Sequence, residues 1–126
     1  MEKINGSAAF YDKSAVTADE IVARGYTGGK IIIGRDDFGG GEKADEAVKM
    51  LKSNGVLRVV VSGANSAFRE AAEKEQLAIV QLDKKSIEDI FRTFADKDSE
   101  AAVITNDDGT RKVKLISGSL SKSYQF

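Results

Sequence analysis

Short apolar runs alternate with amphipathic stretches along most of the chain, the pattern of strands and helices taking turns around a sheet. The clearest strand is Lys30-Ile31-Ile32-Ile33-Gly34, a β-branched run closed by glycine. Similar runs predict strands over 7–11, 57–61 and 77–82. Ala44, Ala47, Val48 and Leu51 recur at three- and four-residue spacing, which predicts a helix over 42–53 stopped by Asn54-Gly55. Asn65 is placed to cap a helix running to 76, with Ala67, Phe68, Ala71 and Ala72 inward. Ile87, Ile90, Phe91 and Phe94 share one face of a helix over 86–94. A short helix is expected within 14–25, through Ala18-Asp19-Glu20-Ile21-Val22. Near the C-terminus the period changes to two. Runs over 101–105 and 112–117 flank the turn sequence Asn106-Asp107-Asp108-Gly109, which predicts a β-hairpin, and a last strand is expected near 123–126.

Composition narrows the function classes. The 126 residues suit one domain over 1–126, with no internal repeat or linker, and 41% apolar residues are enough for a core. Nineteen Lys and Arg against 20 Asp and Glu build no basic field of the kind nucleic-acid binding requires. The chain has no Cys and no His, which removes disulfides, iron–sulfur ligands, a thiol nucleophile and any His-based triad from it. The apolar runs are strand-sized and no signal-peptide pattern stands at the start, so neither membrane nor export is indicated and a cytoplasmic location is expected.

The chemical feature is the unit strand–glycine loop–helix, with the loop Arg35-Asp36-Asp37-Phe38-Gly39-Gly40-Gly41. Glycines let a backbone approach a ligand, and the amides opening the next helix favour an anion. Lys43 adds a positive charge at that mouth, with Arg35 near the strand end. The same residues also suit a plain strand-to-helix turn, with Glu42 complementing the helix dipole. Neither nucleotide fingerprint fits. Glu42-Lys43-Ala44 follows Gly41 where a phosphate-binding P-loop needs Lys-Ser or Lys-Thr. The frame Gly39-x-Gly41-x-x-Ala44 lacks the acidic residue expected about 20 positions on. Asp36-Asp37 beside Glu42 is a conceivable divalent-cation site or a solvated acidic pair, and Ser62-Gly63-Ala64-Asn65-Ser66 a ligand loop or a helix cap. Phe10, Tyr11, Phe68, Phe91 and Phe94 read as packing.

The loop and its strand resemble those of the small, swivelling subunit in the aconitase and 3-isopropylmalate dehydratase family, where a strand leads into Asn-Phe-Gly-x-Gly. The likeness continues in step. Gly55-Val56-Leu57-Arg58-Val59-Val60-Val61-Ser62 is similar to the family's next strand, Phe68-Arg69-Glu70-Ala71 to its Arg-Asn-Ala stretch, and 77–83 to its strand ending in Leu-Asp. Asp12 and Ala18-Asp19-Glu20-Ile21-Val22 resemble its Asp…Thr-Asp-x-Ile-Ile segment. The hairpin and Phe126 resemble its closing strands. The resemblance implies a swivelling-domain-like β/β/α sandwich, an α/β fold with a central sheet, flanking helices and the C-terminal hairpin. It also implies a large partner subunit holding a 4Fe-4S cluster, with none in this chain, and dehydration and rehydration of a small hydroxy-di- or tricarboxylic acid, as in leucine biosynthesis.

In that family the loop carries Gly-Ser-Ser-Arg-Glu-His, whose Ser is a base and whose Arg binds substrate carboxylate. Here Glu42 and Lys43 stand for the serines, Ala44 for the arginine, and Asp45 and Glu46 for Glu-His. Two functions follow. The first is a divergent hydro-lyase subunit binding substrate through Asp37, Phe38, Gly39, Gly40, Gly41 and Lys43, with Glu42, Lys43 and Asp19 as catalytic candidates. The second is a non-catalytic binding or assembly module that keeps the fold without the Ser-Arg set.

Overall fold

The computed structural model describes residues Met1–Phe126. Its elements run β1 (Glu2–Phe10), α1 (Ala18–Arg24), β2 (Ile31–Ile33), α2 (Ala44–Ser53), β3 (Arg58–Val61), α3 (Ser66–Lys74), β4 (Ala78–Gln81), α4 (Lys84–Phe94), β5 (Glu100–Thr105), β6 (Arg111–Ser117) and β7 (Leu120–Gln125). The seven strands form one sheet in the order β4-β3-β2-β1-β5-β6-β7.

Strand β1 joins two halves of different character. Its end, Ala8 to Phe10, pairs in parallel with Ile31 to Ile33, and β3 and β4 continue that parallel half. Its start pairs antiparallel with β5, from Glu2 opposite Thr105 to Ser7 opposite Glu100, and β6 and β7 extend this half as a meander. That explains why β1 begins five residues before the expected position. Residues 2–6 are mostly exposed and are held by backbone pairing, so no apolar pattern announces them. The expected hairpin is the β5–β6 pair, and the last strand is longer than expected.

Parallel strands covered on both faces need apolar side chains on both, and β3 shows this directly. Val59 and Val61 pack with α1, α2 and α3, whereas Val60 turns to the other face. There Ile87, Ile90, Phe91 and Phe94 of α4 pack with Ile31, Ile33, Val113 and Leu115. The sheet curls around α4 until β4, β5, β6 and β7 all line one groove. No helix is long and apolar enough to cross a membrane.

Helix α4 starts at Lys84, earlier than its apolar stripe, because the Asp83 carboxylate accepts the Ser86 N–H at 2.7 Å and caps it. The same helix is clipped to β7 by Asp89, which accepts from Lys122 at 2.5 Å, from the Tyr124 hydroxyl at 2.6 Å and from Arg92 at 2.6 Å. Lys122 first, then the Tyr124 hydroxyl, draws the Asp89 carboxyl down to about 2. A folded value below the unfolded one, about 3.9, means stability that is present above the unfolded value. It is lost as pH falls from about 4 towards about 2. Asp89→Asn is therefore expected to cost about 1–2 kcal/mol at neutral pH and to flatten that part of the acid-unfolding curve. Retention of the parent's acid slope would show that the clip does not stabilise.

Candidate functional site

The glycine loop is fastened on both sides by backbone hydrogen bonds. Towards the segment before α1, the Gly39 N–H donates to Val16 at 2.6 Å and the Ala18 N–H to Gly40 at 2.8 Å. Towards the turn before α3, the Phe38 N–H donates to Gly63 at 3.0 Å and the Asn65 N–H to Phe38 at 2.9 Å. Gly39 must be glycine: its φ is +83°, and an added Cβ would lie 2.2 Å from the Phe68 ring.

These bonds bring three chain segments around one cleft of about 550 Å³. Of the residues expected from the sequence, Asp19, Asp37, Gly40, Gly41, Glu42 and Lys43 line it. Thr17, which was not an expected site residue, and Asn65, expected in either a ligand loop or a helix cap, line it too. Thr17 caps α1, accepting the Glu20 N–H at 3.1 Å, and its backbone bridges to Gly40. Asn65 does double duty: its carbonyl oxygen accepts the Ala67 N–H at 2.9 Å, capping α3, while its amide donates to Asp37 at 2.8 Å. The Thr17-x-x-Glu20 spacing of a capping box was the available signal for Thr17, although Glu20 turns instead to Lys13 at 2.7 Å.

Two expected site residues lie elsewhere. Phe38 is 0% exposed and makes edge-to-face contacts with Tyr11 at 5.5 Å and Phe68 at 5.2 Å. Its side chain belongs to the core beneath the loop rather than to a binding surface, because an aromatic ring gains most by full burial. Gly39 likewise contributes backbone geometry and does not line the cleft. Arg35 lies near the strand end, as expected, and does not line the cleft. Its guanidinium stacks on Phe91 at 3.8 Å and pairs with Glu88 at 2.8 Å and with Asp12.

The two aspartates part company as well. Asp36 pairs with Lys84 at 2.7 Å and accepts the Ser62 hydroxyl; these bonds, that of Lys84 the stronger, hold its carboxyl below the usual range. Asp37, at φ +52°, faces Asn65 instead. The pair does not converge, and no three His, Cys, Asp or Glu side chains group anywhere to hold a metal ion. With no Cys and no His, the residues of this chain do not fit an iron–sulfur cluster.

Helix α2 opens at Ala44, two residues later than expected, with Lys43 at its N-cap making no side-chain cap bond. Asp45 and Glu46 already place negative charge on its first turn. The cleft itself carries three carboxylates, Asp19, Asp37 and Glu42, against the single ammonium of Lys43. Electrostatically it is an acceptor surface, and a free carboxylate ligand meets repulsion there rather than a clamp.

Beneath the loop, Tyr11 is 3% exposed, with Arg24 over its ring at 4.1 Å, and its hydroxyl has no hydrogen-bond partner. Desolvation pushes its pKa up. An unsatisfied buried hydroxyl is a net cost, so Tyr11→Phe is expected to leave stability unchanged or raise it by about 1 kcal/mol. A urea titration showing a clear loss would contradict that.

No protein-family model and no curated protein sequence matches the chain. Among solved structures, it is similar to a crystal structure of 3-isopropylmalate dehydratase (leuD) from Methanocaldococcus jannaschii. The superposition has a TM-score of 0.61 at 14% identity, covering 99% of this chain and 83% of that one. The chain therefore has that protein's fold, a curled seven-stranded sheet flanked by four helices.

Proposed function

We propose that this chain is a divergent small subunit of an aconitase-family hydro-lyase, similar to 3-isopropylmalate dehydratase and acting in leucine biosynthesis. Its glycine-loop cleft is completed by a larger iron–sulfur subunit. The observation that carries the reading is the make-up of the cleft. It is fastened in place by backbone hydrogen bonds and opens outward with three carboxylates and one lysine, but without the cationic clamp a dicarboxylic acid requires. The likeness in fold to leuD over nearly the whole chain supports the family setting.

In this reading the partner supplies the cluster and most of the positive charge. Lys43 anchors one substrate carboxylate as a point charge. Glu42 is the base on this chain, taking the proton from the carbon beside the one that loses its hydroxyl. Asp37, held by Asn65, and Asp19, on the first turn of α1, fix the wall of the cleft around them.

The test is reconstitution. The chain is mixed with the large subunit of a 3-isopropylmalate dehydratase, and complex formation and hydro-lyase turnover are measured. The isolated chain is expected to show no thermal shift with isopropylmalate or citrate, since its cleft repels them. The complex is expected to turn over, and Lys43→Ala to raise KM about tenfold. A shift of the isolated chain by these acids would overturn the partner-completed site. The second reading, a non-catalytic assembly module, is favoured by the absence of Ser and Arg from the cleft lining. It gives a complex with no turnover.

A further inference from the structure

We infer that the chain pairs with a second copy of itself through the open edge of β4, continuing the sheet across a two-fold axis. Strand β4 is hydrogen-bonded to β3 on one side and to no strand on the other. Edge strands of soluble proteins are ordinarily guarded by brevity, lysine, proline or a bulge, and β4, at four residues, has brevity alone. The opposite edge, β7, carries Lys122, but β4 reads Ala78-Ile79-Val80-Gln81, with neither charge nor proline.

A groove borders the edge on each side, the larger one walled on its far side by β5, β6 and β7. A groove of about 370 Å³ runs between it and α3, and one of about 600 Å³ lies on the other side; Ala78 and Ile79 line both. Neither groove shares a residue with the loop cleft, so pairing here leaves the cleft free.

Charge selects the occupant. Arg69 and Glu73 lie one turn apart on α3, on the side of the helix that faces the groove, and Arg69 reaches Gln81 at 3.5 Å. A two-fold axis just outside the free edge of β4, level with its middle and perpendicular to the sheet, sets two β4 strands antiparallel side by side. It keeps both α3 helices on one face and reverses the direction of one against the other. Arg69 of each copy then meets Glu73 of the other, twice per dimer. This is the self-complementarity an isologous interface requires. An unrelated extended peptide has no reason to match that spacing.

Sedimentation velocity of the full chain over a concentration series tests this, with circular dichroism melts to verify folding. Concentration-dependent dimers are expected. Arg69→Glu alone and Glu73→Arg alone are each expected to weaken the dimer about tenfold or more by setting like charges together, and the double swap to restore it. Ala78→Lys, at an exposed edge position, should abolish pairing without unfolding. A chain monomeric at every concentration would overturn the inference. So would a dimer indifferent to these substitutions.

Discussion

Phe38→Ala is expected to destabilise the chain by about 3–5 kcal/mol, read as a drop in the midpoint of urea unfolding. The ring is fully buried, with Tyr11 and Phe68 packed edge-to-face on it. It also packs against the Gly34 backbone, so closely that a Cβ there would sit 2.6 Å from a ring atom. Removing it opens a cavity beneath the loop that those neighbours cannot fill without moving backbone. Because the N–H and C=O of Phe38 fasten the loop to Gly63 and Asn65, the damage should spread to the cleft as faster amide exchange at 39–41. Lys43→Ala is the control: an exposed side chain outside the core should cost no more than about 0.5 kcal/mol. A loss below about 1 kcal/mol at Phe38 would mean that the ring does not seat the loop.

In the proposed complex with a hydro-lyase large subunit, Glu42→Gln is expected to lower kcat by about 100- to 10,000-fold, the usual contribution of a general base, while leaving the complex intact. Glutamine keeps the shape and the hydrogen-bonding reach but accepts no proton at neutral pH. Glu42 is an exposed residue just ahead of α2, so the substitution should not disturb folding. Asp19→Asn, on the first turn of α1, should produce a smaller loss. Equal activity in Glu42→Gln and the parent would remove Glu42 from the chemistry and leave the assembly role.

Much of the fold was legible because burial on both faces of a parallel sheet writes apolar runs such as Ile31-Ile32-Ile33, and amphipathic helices write their stripe. Asn65 announced α3 and caps it as expected. What stayed hidden is held by backbone or charge rather than by apolar surface: residues 2–6 of β1, and the Asp83 cap of α4. The site was legible as a loop but not in its parts. Asp19, Asp37, Gly40, Gly41, Glu42 and Lys43 do converge on one cleft. A phenylalanine between charged residues and glycines looks surface-borne in sequence, and only the packing of Tyr11 and Phe68 shows that Phe38 points inward. The partners of Arg35, Asp12 and Glu88, lie far from it along the chain, so its pairing was not legible in the sequence.

Hydrogen–deuterium exchange of the chain, alone and mixed with the large subunit of a 3-isopropylmalate dehydratase, tests the partner-completed cleft most directly. Slowed exchange is predicted at 15–19, 37–43 and 65, the three segments that border the cleft, with 78–81 unchanged. Absence of a complex, or protection that leaves 37–43 exposed, would contradict the account.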